Sequence, residues 1–209
     1  MSEIYKLYKH IIRCLENGEN ESIRLSLNDV HSNNIFSLVV DGIEFGKLTR
    51  IFIADKKLKP FEVQYHTHRY PIKLTTIKGN ITHHVACEII DSQYSCTKIS
   101  KYDYKSFLNG GKGLSYLGET QITCIDYKMP PGTQVKLNTI DFHTMSVSKG
   151  SMWIVEELGF EKESSQVLGI PFITDGLYNK PEMFQINDKC QIVLKELRSI
   201  VKSYENVTH

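Results

Sequence analysis

The chain has 209 residues, 41% of them hydrophobic and 23% charged, a balance that suits one globular core and excludes the low-hydrophobicity class of disordered chains. Lys and Arg total 25 against 24 Asp and Glu, and neither sign forms a long block, so no field favours nucleic acid or an anionic membrane surface. No run approaches the ~18 apolar residues that cross a bilayer, and the opening MSEIYKLYKH lacks the apolar core of a signal peptide, which leads us to expect a cytoplasmic protein.

From the N-terminus, Ile4, Leu7, Tyr8, Ile11, Ile12 and Leu15 recur at helical spacing before the breakers Gly18 and Asn20, predicting a helix within 1–20. The period then changes. SIRLSLN, IFSLVVD, KLTRIFIAD, FEVQYHTH, IKLTTIKG, ITHHVACEII, SCTKIS and ITCIDYK are short runs rich in β-branched and aromatic residues and read as consecutive strands. Turn residues part them: Asn33-Asn34, Asp41-Gly42, Gly79-Asn80, Asn109-Gly110-Gly111 and Pro130-Pro131-Gly132. Many short strands without intervening helices predict a mainly β, antiparallel sandwich or barrel over 21–158. Residues 159–187, with Pro171, Gly176 and Pro181, show little periodicity and read as a long loop or extension packed on the barrel. Cys190, Ile192, Val193, Leu197, Ile200 and Val201 then predict a closing helix in a 159–209 C-terminal part. The five cysteines (Cys14, Cys87, Cys96, Cys124, Cys190) contain no C-x-x-C pair and read as reduced thiols.

The segment Gln64-Tyr65-His66-Thr67-His68 carries the chemistry. Histidines at i and i+2 of a strand project to one face and can reach the same ion. His143, in a strand-like run behind the Pro-Pro-Gly turn, is the candidate third ligand. Three neutral imidazoles suit a divalent Fe, Mn, Ni, Cu or Zn ion. Gln64 shares the face of the histidine pair and is a candidate pocket contact. Arg50 and Glu156 are ionisable residues within otherwise apolar runs, and an unpaired buried charge is costly, so each belongs at a barrel mouth or in the pocket. Adjacent His83 and His84 face opposite sides of a strand, so at most one looks inward, and both read as ordinary strand histidines. His31 and His209 fall in a turn-rich stretch and at the terminus. Trp153, Tyr65, Tyr70 and Phe142 are more simply core packing than ligand stacking. Gly110-Gly111-Lys112-Gly113 reads as a flexible loop, a weak candidate for a lid over one barrel mouth.

In two places the chain resembles a cupin. The first cupin motif, H-x-H, then Glu, then Gly, resembles His66-Thr67-His68, Lys73 and Gly79; the second resembles Pro131-Gly132, a short strand from Thr133 to Asn138, and His143. The finish, His143 to Val147, Gly150 and Trp153 to Glu157, is similar to small cupins of bacterial surface-polysaccharide clusters. The resemblance covers roughly 45–158 and implies a single cupin-type antiparallel β-barrel or jelly roll, here with N- and C-terminal α-helices. It also implies a metal at His66, His68 and His143, except that Lys73 stands where the family offers its Glu ligand. An ammonium is a poor ligand and repels a cation. Either Lys73 faces the pocket as an acid, base or anion anchor, or Ile72 takes the inward position and Lys73 points out. The implied functions are a metal-dependent enzyme on a small polar molecule such as a sugar or sugar nucleotide (an isomerase, epimerase or dioxygenase) and a non-catalytic barrel that binds or sequesters such a ligand. A homodimer fits both, and a third reading makes the protein chiefly an oligomeric interaction component.

Overall fold

The computed structural model describes residues 2–17, 21–30, 32, 34–42, 47–89, 96–105, 110–159, 162–169 and 180–207. Gly18, Asn20, His31, Asn33, Asn109, Pro171, Gly176 and His209, singled out in the sequence, lie outside them.

The first element is helix α1, Glu3–Glu16. Ser2 caps it, its Oγ accepting from the Tyr5 N–H at 3.3 Å, so one of the orphan N–H groups of the first turn is satisfied. Tyr5, Tyr8, Ile11 and Leu15 are its buried stripe. The closing helix α2, Met183–Val207, lies beside it and buries Ile186, Cys190, Val193, Leu194, Leu197 and Val201. Ile192, counted in the apolar stripe from sequence, is 45% exposed, and Leu194 takes its place because it falls on the same side as Leu197 and Val201. Arg198 pairs with Glu16 at 2.6 Å and Lys9 with Glu205 at 2.9 Å across the two helices.

Eleven strands follow α1 among the described residues: β1 Ile35–Asp41, β2 Thr49–Ala54, β3 Tyr65–His66, β4 Ile72–Lys78, β5 Ile81–Glu88, β6 Thr97–Lys105, β7 Gly113–Met129, β8 Gln134–Leu137, β9 Phe142–Val147, β10 Met152–Glu157 and β11 Ser165–Leu168. They build two antiparallel sheets. One has the order β1-β2-β10-β4-β8. Both its faces are covered, which is why IFSLVV in β1 is a continuous apolar run rather than an alternating one. Phe36, Leu38, Val40, Ile51, Ile53, Ile77, Met152 and Ile154 pack against α1 and α2. The alternate residues Ile35, Phe52, Ala54, Ile72, Leu74, Trp153 and Val155 face the other sheet and meet Leu58, Val63, Ile81, Met129, Leu137 and Val147. Each fully buried aliphatic side chain here stabilises the fold by about 1.5–3 kcal/mol relative to exposure.

The second sheet runs β11-β3-β9-β5-β7-β6 and closes, because β11 pairs with both β3 and β6. The long β7 pairs with β5 through one half and with β6 through the other. The chain crosses between sheets at Gly79, whose φ is +92°. A Cβ there would come within 2.7 Å of the Ser151 Cα, so the tight turn requires glycine.

Three local expectations change. SIRLSLN is a 3-10 helix over Glu21–Leu25 followed by a single bridge from Leu27 to Ser37, not a strand; with β2 already on the inner side of β1, the segment covers a sheet edge instead of extending it. FEVQYHTH is strand only at Tyr65–His66, preceded by a 3-10 turn at Pro60–Glu62, since Pro60 has no N–H for a ladder. The stretch 159–187, expected to be loop, supplies β11 and the first turn of α2.

Candidate metal centre

The cross-strand register builds the site. Directly paired residues of antiparallel strands project to the same face. One row of paired residues runs from Ile125 through Val85, His143, His66, Val167 and Tyr102 to Tyr116, passing through all six strands and returning to β7. Four residues along the strands lies the apolar core row of Ile81, Met129 and Val147, and between them the row of His83, Tyr127 and Met145. The histidines thus sit just beyond the packed core, on the face that the second sheet turns toward the first at Ile81, Met129 and Val147. His68 follows β3 without being part of it. Buried Thr67 holds it in place: its N–H donates to the Gln166 carbonyl and its Oγ1 accepts from the Gln166 N–H, both at 2.9 Å.

The rings of His66, His68 and His143 form a triangle with every centroid separation 4.9 Å, and one nitrogen from each lies within 4.8 Å of the others. His66 Nδ1 is 2.9 Å from the Gln64 carbonyl. A carbonyl only accepts, so Nδ1 carries the proton and the neutral ring presents the Nε2 lone pair. Burial lowers the pKa of His66, which keeps it neutral. His68 Nε2 and His143 Nε2 face each other at 2.7 Å; two ring nitrogens at this distance need a proton or a cation between them. On its far side His143 Nδ1 meets His83 Nε2 at 3.0 Å. His83 is 1% exposed, and burial first, then the neighbouring His84 and His66, push its pKa down to about 4. A neutral His83 accepting from His143 Nδ1–H turns the His143 Nε2 lone pair toward His68, the second-shell arrangement that orients metal-binding imidazoles.

The donor set fits a divalent transition metal: three nitrogen ligands from three positions, neutral, close enough to converge at bond lengths of about 2.0–2.2 Å after small ring movements, with coordination positions left over. His66, His68 and His143 would hold the ion.

The other residues singled out in the sequence are distributed differently. Ile72 and Leu74 point inward, and Lys73 lies on the opposite, helix-side face, paired in register with Glu156 at 3.4 Å. That is the second of the two Lys73 orientations set out above, and it corrects the pocket-facing assignment of both Lys73 and Glu156: a Glu ligand at position 73 would not reach the histidines in this register. Arg50 faces inward by its pairing with Val155, but its partners are Glu157 and Ser37, each at 3.5 Å. Gln64 contributes its backbone carbonyl to His66, while its side chain lies against Gly169, where a Cβ would come within 2.4 Å of Oε1. Trp153 is core, stacked on Phe52 with centroids 5.4 Å apart. Phe142 and Tyr65 belong to a small buried cluster with Ala86, Ile99, Ile122 and Leu168, one residue from each of the six strands, which fills the interior of the closed sheet on the face opposite the histidines.

Sequence reasoning missed two features. His83 supports His143, whereas His84 turns to the opposite face, to Asp126 and Ser146; the adjacent pair signalled that only one could share the face of the site but not which. The face of the histidine row also carries Tyr102, Tyr116, Tyr127 and Ile125. Tyr116 is 61%, Tyr127 50% and Ile125 47% exposed, and Tyr102 meets Tyr116 edge-on at 5.5 Å. By register these side chains form an exposed patch of β6 and β7 on the same face as the histidine row. Nothing in the spacing of β6 and β7 marked it, because the bulge after Lys101 sets which tyrosines share a face.

No protein-family model matches the chain, and no curated protein does. Solved structures do match. The hydroxypropylphosphonic acid epoxidase from S. wedmorenis is 10% identical with a TM-score of 0.39, over 64% of this chain and 54% of its own. A hydroquinone 1,2-dioxygenase, PnpCD, in complex with Cd2+ and 4-hydroxybenzonitrile, is 11% identical with a TM-score of 0.36, over 58% and 62%. The Drosophila melanogaster CENP-C cupin domain is 10% identical with a TM-score of 0.34, over 74% and 98%. This chain spans about half the length of the epoxidase chains it matches. Among the described residues no helix is long and apolar enough to cross a membrane. The chain has two antiparallel sheets with terminal helices and brings together, on β3 and β9 and just after β3, the histidines of both cupin-like motifs, the architecture that the resemblance implied.

Proposed function

We propose that His66, His68 and His143 hold one divalent transition-metal ion and that the protein is a metal-dependent cupin acting on a small polar molecule. The observation that carries this reading is the convergence of three imidazole nitrogens on one point, with His66 fixed by the Gln64 carbonyl and His143 by His83. Bound there, the ion would supply either Lewis-acid polarisation or a centre for oxygen chemistry. The chain's own part is to hold the imidazoles in place and to exclude water on the core side through Met145, Ile81 and Val147. A sugar or sugar nucleotide is the ligand class that the cupin resemblance implies, and an isomerase, epimerase or dioxygenase suits an ion with open positions.

A second reading, a barrel that binds or sequesters its ligand without turnover, is favoured by one observation: Lys73, which stands where the family offers its Glu ligand, pairs with Glu156 on the far face instead of reaching the histidines. Elemental analysis of tag-free protein beside His66→Ala and His143→Ala variants tests the site. The proposal requires near-stoichiometric metal in the wild type and its loss in both variants. An unloaded protein after incubation with Fe(II), Mn(II), Ni(II) and Zn(II) would refute the metal centre, and a loaded protein without turnover of sugars, sugar nucleotides or phenols, and without oxygen uptake, would select the binding module.

A further inference from the structure

On the opposite side of the first sheet, where α1 crosses the end of β1, a second group of donors of different chemistry comes together. His10 and Cys14 stand at i and i+4 on α1, one turn apart on one face. Asp41 ends β1, and the register shift between Val39 and Asp41 brings it round to the helix side, the use to which bulges are commonly put. His10 Nε2 is 2.7 Å from Asp41 Oδ2 and 3.5 Å from Cys14 Sγ. The other Asp41 oxygen accepts from the Gly42 N–H at 2.7 Å, so the carboxylate is oriented with Oδ2 toward the ring. The three donor atoms all lie within 4.8 Å of one another.

Two groups therefore converge on a single ring nitrogen. A proton there serves only one of them: an Nε2–H that donates to Asp41 cannot accept from the Cys14 thiol, and the reverse tautomer leaves the carboxylate facing a lone pair. One cation at the point of convergence serves all three. The mixture of imidazole, thiolate and carboxylate is the donor set of zinc, whose bonds of about 2.0–2.3 Å would need the nitrogen and oxygen to part by only a few tenths of an ångström. The side chains of His10 and Asp41 are each 45% exposed, so an ion can enter and solvent can complete a tetrahedral shell.

We propose that His10, Cys14 and Asp41 form a second metal site, specific for a thiophilic divalent ion such as Zn(II), which pins α1 to the end of β1. It shares no residue with the three-histidine centre and stands or falls independently of it. The thiolate gives it a signature that the all-imidazole centre lacks. Full-length protein is loaded with Co(II), and the sulfur-to-metal charge-transfer absorption in the near ultraviolet is read in the wild type, in a His66→Ala/His143→Ala double variant, and in Cys14→Ser and Asp41→Asn, with circular dichroism confirming that each is folded. The expected result is a thiolate band in the wild type and the double variant, complete loss in Cys14→Ser and clear weakening in Asp41→Asn, with one equivalent of Zn(II) retained by the double variant. A folded wild type with no thiolate band at saturating Co(II), or a band that survives Cys14→Ser, overturns the site.

Discussion

Acidification provides a quantitative test of the histidine cluster through His83. Its ring is 1% exposed and its folded pKa is pushed down to about 4 from an ordinary value of 6.5. Above pH 6.5 the ring is neutral in both folded and unfolded chains and contributes no pH dependence. Below it the unfolded chain binds a proton that the folded chain refuses, so stability falls with pH through the window from about 6.5 to about 4. A depression of this size corresponds to about 3 kcal/mol lost across the window, at 1.36 kcal/mol per pH unit. With a urea slope of about 2 kcal/mol per molar, the unfolding midpoint drops by about 1.5 M between those pH values. His66, also lowered by burial, adds to the loss in the same direction. The assay is urea unfolding at several pH values in the presence of a chelator, so that no ion competes with protons for the ring nitrogens, on the wild type and on His83→Gln, whose amide preserves a partner for His143. The variant should lose much less of its stability on acidification. If wild type and His83→Gln decline in parallel from pH 6.5 to 4, the ring is not held neutral by burial and its assigned role in orienting His143 fails with it.

Other consequences are simpler. Gly79→Ala should destabilise the protein by about 1–3 kcal/mol, seen as a lower thermal midpoint, because the residue has φ of +92° and its new Cβ would press on the Ser151 backbone. Leu197→Ala removes a fully buried contact between α2 and the sheet and should cost about 2–5 kcal/mol in chemical unfolding; a loss below 1 kcal/mol would mean that the helix is not docked as described. Lys73→Gln should leave metal content unchanged while lowering stability modestly through the loss of its ion pair with Glu156; a fall in bound metal equal to that of His143→Ala would place Lys73 at the centre after all.

The sequence by itself determined the mainly β class of the fold and singled out three histidines that the structure brings together. The change from helical period at Ile4 to Leu15 to short β-branched runs after Asn34 follows from the geometry of the two backbones, and the turn residues at Gly79 and Pro130-Pro131-Gly132 mark where the chain must reverse. Two histidines at i and i+2 share a face in extended backbone, so His66 and His68 could be paired from the sequence, although β3 ends at His66 and it is the pairing of Thr67 with Gln166 that keeps the segment extended. What only the tertiary structure decided is register. A shift of one residue exchanges every side chain between the faces of a sheet, and that choice placed Ile72 rather than Lys73 inward, His83 rather than His84 beside His143, and Tyr102 and Tyr116 on the histidine row. Contacts between distant segments were equally invisible: β11 closes the second sheet from a stretch without periodicity, because four residues are enough when two neighbouring strands supply the ladder. The meeting of His10 and Cys14 with Asp41 depends on how a helix crosses a strand end, which no local pattern encodes.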